Sequence, residues 1–229
     1  QEIKFSQQFN DLKLETITSN GQIYYTINMG EELLGGNKVG EADLPTYNCL
    51  IEVPFCSDIK IKETVVAKET INLKNGYKIY PKQPSQSKQN EEIPFVIDDN
   101  YYSRNSFGQT DIAQIEVLGV MNGVRLARLS ICPIRYNPSA NQIEHIKQVD
   151  LEISFVNPDM EKKNKAKGKL NKSFSQFLGN KVVNFNKSTG ASSFTTPMER
   201  PFKMLILSSP IFREELQVFI QWKKEQGFE

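Results

Sequence analysis

Two runs of alternating apolar and polar residues, joined by an Asn-Gly pair, constrain the fold of this chain more than any other feature. The first run is IAQIEVLGV, the second is VRLARLSICPIRY, and Asn122-Gly123 stands between them. Alternation with a period of two places every second side chain on the same face of a β-strand. Asn-Gly favours the tight turn that joins two antiparallel strands. The sequence therefore predicts a β-hairpin at this position.

The same pattern recurs through most of the chain. Asn20-Gly21 separates DLKLETITS from QIYYTIN, Asn75-Gly76 follows IKIKETVVAKETINL, and NQIEHIKQVDLEISFV begins after a break at Tyr136-Asn137-Pro138. About ten closely spaced strands joined by turns favour an antiparallel β-sandwich over alternating strands and helices. We therefore predict a mainly β fold for residues 1–157.

Charge and composition exclude several classes of function. The 229 residues include 28 Lys and Arg against 27 Asp and Glu. The chain therefore lacks the net positive charge that drives binding to nucleic acid or to anionic membranes. No apolar run reaches the roughly 20 residues that a membrane-spanning helix needs. We expect neither nucleic-acid binding nor membrane insertion, while the oligomeric state is left open by the sequence.

The chain becomes lysine-rich after residue 157, in PDMEKKNKAKGKLNK. No aromatic residue interleaves these lysines, which favours a solvated connector over a nucleic-acid-binding tail. FSQFLGNKVVNF carries apolar residues suited to a short helix or strand that packs back, and KSTGASSFTTPMERP has the composition of a flexible linker. We predict that residues 158–200 form a connector and linker.

A third pattern begins at residue 201. The continuous apolar run Met204–Leu207 is typical of a strand buried on both faces. Ser209 followed by Pro210 suits the start of a helix, and Gly227 suits its end. Four apolar residues share one face of this predicted helix: Phe212, Leu216, Phe219 and Ile220. We predict that residues 201–229 are the first strand and helix of a truncated α/β domain.

Cysteine and histidine, which together supply thiol catalysis, are few in this chain. Cys49, Cys56 and Cys132 lie in apolar or alternating surroundings and form no CxxC pair, which favours packing in a core, with a disulfide as the alternative. The single histidine, His145, lies on a predicted strand without a neighbouring cysteine, although a nucleophilic cysteine needs such a base. No GxSxG, HExxH or phosphate-loop motif is present. We expect no catalytic residue, no metal site and no cofactor.

Three segments in order resemble the N-terminal propeptide of the gingipain-like (C25-type) cysteine peptidases exported by Bacteroidetes. They are LPTYNCLIEVP, EIPFVIDDNYYSRNSF and VRLARLSICPIRYNPSANQIEHIKQVDLEISF. The similar features are Leu44-Pro45 before a strand, Ile93–Val96 before a tyrosine-containing turn, and Pro133–Pro138 between two strands. The final segment, FKMLILSSPIFREELQVFIQWKKEQGFE, is similar to the first strand and helix of that family's catalytic domain, whose catalytic histidine and cysteine lie farther downstream.

The resemblance implies a jelly-roll β-sandwich that acts on its own peptidase. Such a propeptide covers the active-site cleft, assists folding and is removed by cleavage at basic residues, so that the full-length parent is a cysteine endopeptidase. It also implies that a basic side chain on an exposed loop enters the specificity pocket. The matching loop is KQPSQSKQNEE, residues 82–92, whose basic residues are Lys82 and Lys88.

Release of such a propeptide requires accessible backbone next to a basic residue. The candidate residues are Lys181, Lys187 and Arg200. The stretch 187–200 is favoured, and Arg200 itself is a poor site because Pro201 follows it. The chain opens QEIKFSQQF without an initiator Met. With the resemblance, this predicts a protein secreted or held at the cell surface through the periplasm, with its signal peptide removed.

Two alternative functions are consistent with the sequence. A surface or carbohydrate-binding β-sandwich could stack sugars on exposed aromatic rings, for which the candidates are Tyr24, Tyr101, Tyr102 and Phe107. A second alternative is the N-terminal domain of a secretion-system component of the same family without proteolytic activity. The presence of a histidine and cysteine pair in the downstream region discriminates this alternative from a peptidase.

Overall fold

The computed structural model describes residues 2–30, 33–35, 38–56, 58–85, 94–108, 111–167, 172–185 and 203–229. The chain forms two compact units, residues 1–190 and residues 191–229. No helix within the described ranges is long and apolar enough to cross a bilayer.

Strands are the main secondary structure of the first unit, with one short α-helix among them and the other α-helices after the last strand. The strands are β1 Glu2–Gln8, β2 Lys13–Ser19, β3 Gln22–Asn28, β4 Leu33–Gly35, β5 Pro45–Glu52, β6 Asp58–Asn72, β7 Lys78–Ile79, β8 Ala113–Met121, β9 Val124–Ile131, β10 Ile134–Asn137 and β11 Gln142–Val156. The α-helices are α1 Asp99–Tyr102, α2 Met160–Lys167, α3 Lys172–Lys181 and α4 Leu216–Glu225. Short 3-10 helices span Lys74–Gly76 and Pro210–Phe212.

Strand β11 is the centre of one four-stranded sheet. β6 pairs with β11 along nearly its whole length, and β1 and β10 pair with successive parts of its other edge, all antiparallel. A second four-stranded sheet has the order β4-β5-β9-β8 with antiparallel neighbours, and a small third sheet adds β7, parallel to β3, to the β2–β3 hairpin. The predicted mainly β fold with antiparallel sheets is confirmed. The jelly-roll connectivity remains a prediction.

One hydrophobic core includes side chains from both four-stranded sheets. Val149, Leu151 and Ile153 of β11 are at most 1% exposed, and Leu129 and Ile131 of β9 are fully buried. These positions alternate along each strand, so each strand presents the same face to this core. The alternation of apolar and polar residues in the sequence therefore reflects which side chains face this core.

The predicted Asn-Gly turns are confirmed. Asn20 and Gly21 have φ values of 48° and 73°, and Asn122 and Gly123 have 48° and 84°. Positive φ at both central residues is the requirement of a two-residue hairpin turn, and Asn and Gly tolerate it best. Asn75-Gly76 instead ends the 3-10 helix Lys74–Gly76.

Glu144 on β11 joins two cations across neighbouring strands. Its side chain is 10% exposed, with Lys68 Nζ 2.7 Å from Oε1 and Arg135 Nη1 3.0 Å from Oε2. Burial alone raises the pKa of Glu144, but the hydrogen bonds and charges of Lys68 and Arg135 outweigh burial and hold the pKa below its usual value. The carboxylate form is therefore stabilised by folding, and this contribution is lost as the pH falls through the lowered pKa.

We expect Glu144→Gln to reduce the free energy of unfolding by about 1.5 kcal/mol at neutral pH, because two charge-assisted hydrogen bonds are weakened. The difference from the wild-type chain should shrink below about pH 4, since the wild-type carboxyl then also becomes neutral. Urea unfolding from pH 7 to pH 3 measures this. Glu152→Gln is the matched control on the same strand, because the Glu152 side chain is 43% exposed and pairs with two lysines that are each 75% exposed. A difference that stays constant with pH would contradict the assignment.

The described residues of the connector pack against the sandwich. The Asp159 backbone N–H donates to the Phe55 carbonyl over 2.7 Å, and Lys163 Nζ lies 3.5 Å from Oε1 of the buried Glu52. Leu178 of α3 is 1% exposed and belongs to a second apolar cluster with Val124, Leu126, Val182 and Phe185. The expectation that FSQFLGNKVVNF packs back is confirmed. The predicted division at residue 157 falls inside the first compact unit, which extends to residue 190.

The end of the connector extends the edge of strand β5. The Val183 N–H donates to the Leu50 carbonyl over 3.0 Å. The Asn184 side chain then pairs with the Glu52 backbone, accepting from its N–H over 2.7 Å and donating to its carbonyl over 2.8 Å. An amide side chain presents the same donor and acceptor as a peptide group, so Asn184 acts here as an added strand residue.

The second unit confirms the predicted helix but not the predicted strand. Residues 203–209 form no strand, and Leu205 and Leu207 are 83% and 88% exposed. A strand needs neighbouring strands to satisfy its backbone groups, and no described strand pairs with residues 203–209, so the prediction of a strand buried on both faces is wrong here. Ser209 and Pro210 begin a 3-10 helix rather than α4 itself, and the Ser209 side chain makes no cap bond.

Gly227 ends helix α4 as the sequence predicts. It has a φ of 86°, its N–H donates to the Lys224 carbonyl over 2.9 Å, and the Phe228 N–H donates to the Lys223 carbonyl over 3.1 Å. This pair of bonds around a left-handed glycine is a Schellman motif.

Candidate functional site

Lys82 lies at the base of the loop that the resemblance singles out. Its backbone N–H donates to the Glu41 carbonyl and its carbonyl accepts from the Gly40 N–H, both over 2.8 Å. The residue is half-buried. Burial raises the pKa of the neighbouring Asp43 carboxyl, and the charge of Lys82 opposes that rise. The backbone of Lys82 is thus hydrogen-bonded to the body of the domain, whereas Lys88 lies outside the described residues.

Gln83 joins the two ends of this loop. Its side-chain Nε2 donates to the Val96 carbonyl over 2.9 Å, and its Oε1 accepts from the Val96 N–H over 2.9 Å. Nε2 also lies 2.9 Å from the Pro81 carbonyl. We call the two hydrogen bonds between Gln83 and Val96 the Gln83 bridge. It holds the residues just before Pro84 against those just after Phe95.

Three aromatic rings pack beside the Gln83 bridge. The ring centroids of Tyr24, Tyr80 and Phe95 are separated by 5.7, 5.9 and 6.1 Å. Tyr24 is 2% exposed, so the cluster is anchored in the core. Tyr80 and Phe95 stand on opposite sides of the loop in sequence, and their contact adds to the pairing of the loop ends.

The proposed sugar-stacking surface is wrong. Tyr24, Tyr101 and Tyr102 are between 2% and 5% exposed, and the Tyr102 hydroxyl donates to the Ile79 carbonyl over 2.6 Å. Phe107 is half-buried, with the Arg135 guanidinium 5.9 Å from its ring centre. These rings stabilise the core and offer no exposed platform. The sequence did not show whether these rings are buried or exposed, because burial depends on contacts distant in sequence.

The cysteines and the histidine have structural roles, as predicted. Cys49, Cys56 and Cys132 are free thiols that pack against the main core. Burial raises the pKa of the Cys49 and Cys132 thiols, which is the opposite of what a nucleophilic cysteine needs. His145 is 1% exposed, and its Nε2 donates to the Phe9 carbonyl over 2.7 Å while Nδ1 lies 3.2 Å from Glu69 Oε1.

Lys181 is the processing candidate that lies within the described residues. It is exposed, but it is the last residue of α3. The Val182 N–H donates to the Leu178 carbonyl over 2.8 Å, and Val183 pairs with Leu50. A protease binds its substrate in extended form, so cleavage at Lys181 requires the local structure to open first. Lys187 and Arg200 lie outside the described residues.

The family of the chain follows from its sequence as a whole. The sequence model of a family described as Propeptide_C25 matches residues 2–189. The chain belongs to the Propeptide_C25 family. The resemblance to gingipain propeptides is thereby confirmed, and the domain is a propeptide that is not itself catalytic. The match runs past residue 157 and includes the docked connector, in agreement with the extent of the first compact unit.

Curated relatives extend well beyond this propeptide. Lys-gingipain of Porphyromonas gingivalis (strain ATCC 33277) and Lys-gingipain W83 of Porphyromonas gingivalis are each 27% identical over 227 residues. The alignments cover 97% of this chain and 13% of each relative. The chain therefore spans 13% of the length of the curated relatives that it matches.

Two solved structures share the fold. One concerns the zymogenic latency of gingipain K from Porphyromonas gingivalis; it has a TM-score of 0.59 and 29% identity, and the match covers 67% of this chain and 86% of that chain. The other is a complex of the Porphyromonas gingivalis RgpB pro- and mature domains, with a TM-score of 0.65, 17% identity and coverage of 81% and 93%. At that lower identity the likeness shows the fold alone.

Proposed function

We propose that this propeptide inhibits the catalytic domain of its own gingipain-like cysteine peptidase, covers the active-site cleft and assists folding until the linker is cut. The observation that carries the proposal is the family match over residues 2–189 on a domain that is not itself catalytic. The likeness to a structure that concerns the zymogenic latency of gingipain K supports it. The peptidase partner, its specificity and its export to the cell surface or beyond, after removal of a signal peptide, belong to this proposal.

The inhibitory contact is made by a lysine of the loop 82–92. A lysine that enters an acidic pocket is attracted more strongly as water is excluded, and in a close pair this attraction can exceed the cost of desolvating both charges. Lys82 is half-buried, and its backbone is paired with Gly40 and Glu41. These contacts keep Lys82 at the base of the loop, so we assign the inhibitory role to Lys88.

Release occurs by cleavage in the stretch 187–200. In a precursor that contains this chain and its downstream catalytic domain, activity on a small peptide substrate should stay low until the linker is cut. Lys187→Gln should lengthen that lag several-fold. Lys181→Gln, the matched control at the end of α3, should leave the lag unchanged, because helical backbone is a poor protease substrate. The time course of substrate cleavage, together with the size of the processed fragments on a gel, measures both effects.

The precursor experiment also separates the two classes of function. A precursor that is fully active with its linker intact would contradict an inhibitory role. A precursor that stays inactive after the linker is cut, and that lacks a histidine and cysteine pair downstream, would indicate the non-proteolytic secretion-system alternative.

A further inference from the structure

Residues 182–184 are paired with the edge of strand β5 through both backbone and side-chain groups. Val182 forms a parallel bridge with Leu50, and the Val183 N–H donates to the Leu50 carbonyl over 3.0 Å. The Asn184 side chain accepts from the Glu52 N–H over 2.7 Å and donates to the Glu52 carbonyl over 2.8 Å. The strand-like pairing that begins at Val182 is therefore continued by an amide side chain.

These three residues directly follow Lys181, which is basic and exposed. A protease holds the residues around a scissile bond in extended form and pairs with their backbone groups, as an added strand pairs with the edge of a sheet. The Val183 N–H is already donated to Leu50, and Val182 is only 3% exposed. The edge of β5 therefore competes with a protease for the residues that follow Lys181.

We infer that the bond between Lys181 and Val182 is a latent processing site, and that Asn184 is the positioning residue that withholds it from proteases. The inference rests on the proposed function, since it adds a second cut to the release of the propeptide. The two hydrogen bonds between Asn184 and Glu52 must break before residues 182–184 can leave β5. The linker is consequently cut first, and the bond after Lys181 is cut only once these residues have left the edge.

Asn184→Ala should raise the rate of cutting after Lys181 by about tenfold when the folded chain is treated with an unrelated lysine-specific protease, since two hydrogen bonds are lost. Cutting of a locally opened segment follows the population of its open form. The matched control is Gln176→Ala, which removes an exposed glutamine on α3 and should leave the rate unchanged. Mass spectrometry of the fragments gives the rate at each bond. Equal rates after Lys181 in Asn184→Ala and the wild-type chain would overturn the inference.

The rates of cutting after Lys60 and Lys62 separate local opening from a general loss of stability. Both lysines lie on β6, which pairs with β11, so that cutting there requires the sheet itself to open. Asn184→Ala should leave these two rates unchanged. An equal rise after Lys60, Lys62 and Lys181 would mean that Asn184 acts only through the stability of the whole domain, and would overturn the inference.

The precursor with its downstream catalytic domain tests the order of the two cuts. The fragment that ends at Lys181 should appear after linker cleavage in the wild-type precursor, and several-fold sooner in Asn184→Ala, as followed by mass spectrometry during activation. If the wild-type precursor is fully active with its linker intact, the proposed function fails, and the unrelated protease still judges whether Asn184 withholds the bond. Equal timing of this fragment in the two precursors, or its absence from both, would overturn Lys181 as a processing site.

Discussion

Replacing Lys88 by alanine should weaken inhibition of the mature peptidase by roughly thirtyfold. Truncating one partner of a desolvated charge pair removes about 2 kcal/mol or more of binding free energy, and each 1.4 kcal/mol changes affinity tenfold. Equal melting temperatures for the variant and the wild-type chain are the control for folding. Titration of the mature peptidase with the purified chain measures the inhibition constant.

Lys82→Ala is the matched control for Lys88→Ala, since both variants remove one lysine from the same loop. Lys82 interacts with Asp43 and is paired through its backbone with Gly40 and Glu41. Its truncation should therefore affect stability more than inhibition. Full potency of Lys88→Ala combined with loss of potency in Lys82→Ala would reverse the assignment, and full potency of both would exclude a loop lysine.

Replacing Leu178 by alanine should release the connector from the sandwich. Leu178 is 1% exposed in the cluster that joins α3 to β9, and truncation of a buried leucine typically costs about 3 kcal/mol. The equilibrium for local opening should then rise by roughly a hundredfold. Hydrogen exchange of the Val182 and Val183 amides, which donate to the Leu178 and Leu50 carbonyls, measures this opening.

Phe177→Ala is the matched control one residue earlier on the same helix. Phe177 is 50% exposed and stacks on Phe174 with 6.0 Å between ring centroids. Its removal should cost less than about 1 kcal/mol. Leu178→Ala should also make the bond after Lys181 accessible to proteases, because the opened helix can adopt the extended form. Equal exchange rates in the two variants would contradict the packing of α3 described here.

The strands and hairpins could be predicted from the sequence wherever the pattern was local. Asn20-Gly21 and Asn122-Gly123 tolerate the positive φ values that their turns need, so these turns can be recognised from two residues. In β6 and β11, apolar and polar residues alternate over long runs. Helix α2 was missed because its sequence, MEKKNKAK, lacks an apolar face, and its N-terminal end is held by contacts with Phe55 that are distant in sequence. The strand predicted at Met204–Leu207 failed for a related reason, since strand formation depends on neighbours outside the run.

The loop could be located from sequence, but its base could not. Absence of apolar residues and the resemblance placed the loop at residues 82–92. The pairing of Gln83 with Val96 and the hydrogen bond from the Gly40 N–H to the Lys82 carbonyl depend on the fold. A glutamine directly before proline in a polar loop gives no signal by itself. The proposed choice of Lys88 over Lys82 as the inhibitory residue also depended on the structure. The backbone hydrogen bonds of Lys82, which place it at the base of the loop, are not visible in the sequence.

Inhibition of the mature peptidase by the separately purified chain tests the proposed function. The purified 229-residue chain is titrated into the mature peptidase produced from the same precursor, and in parallel into an unrelated cysteine peptidase. We expect saturable inhibition of the parent enzyme well below micromolar concentration, with much weaker inhibition of the unrelated enzyme. No inhibition of the parent enzyme at micromolar concentration would contradict the proposed function.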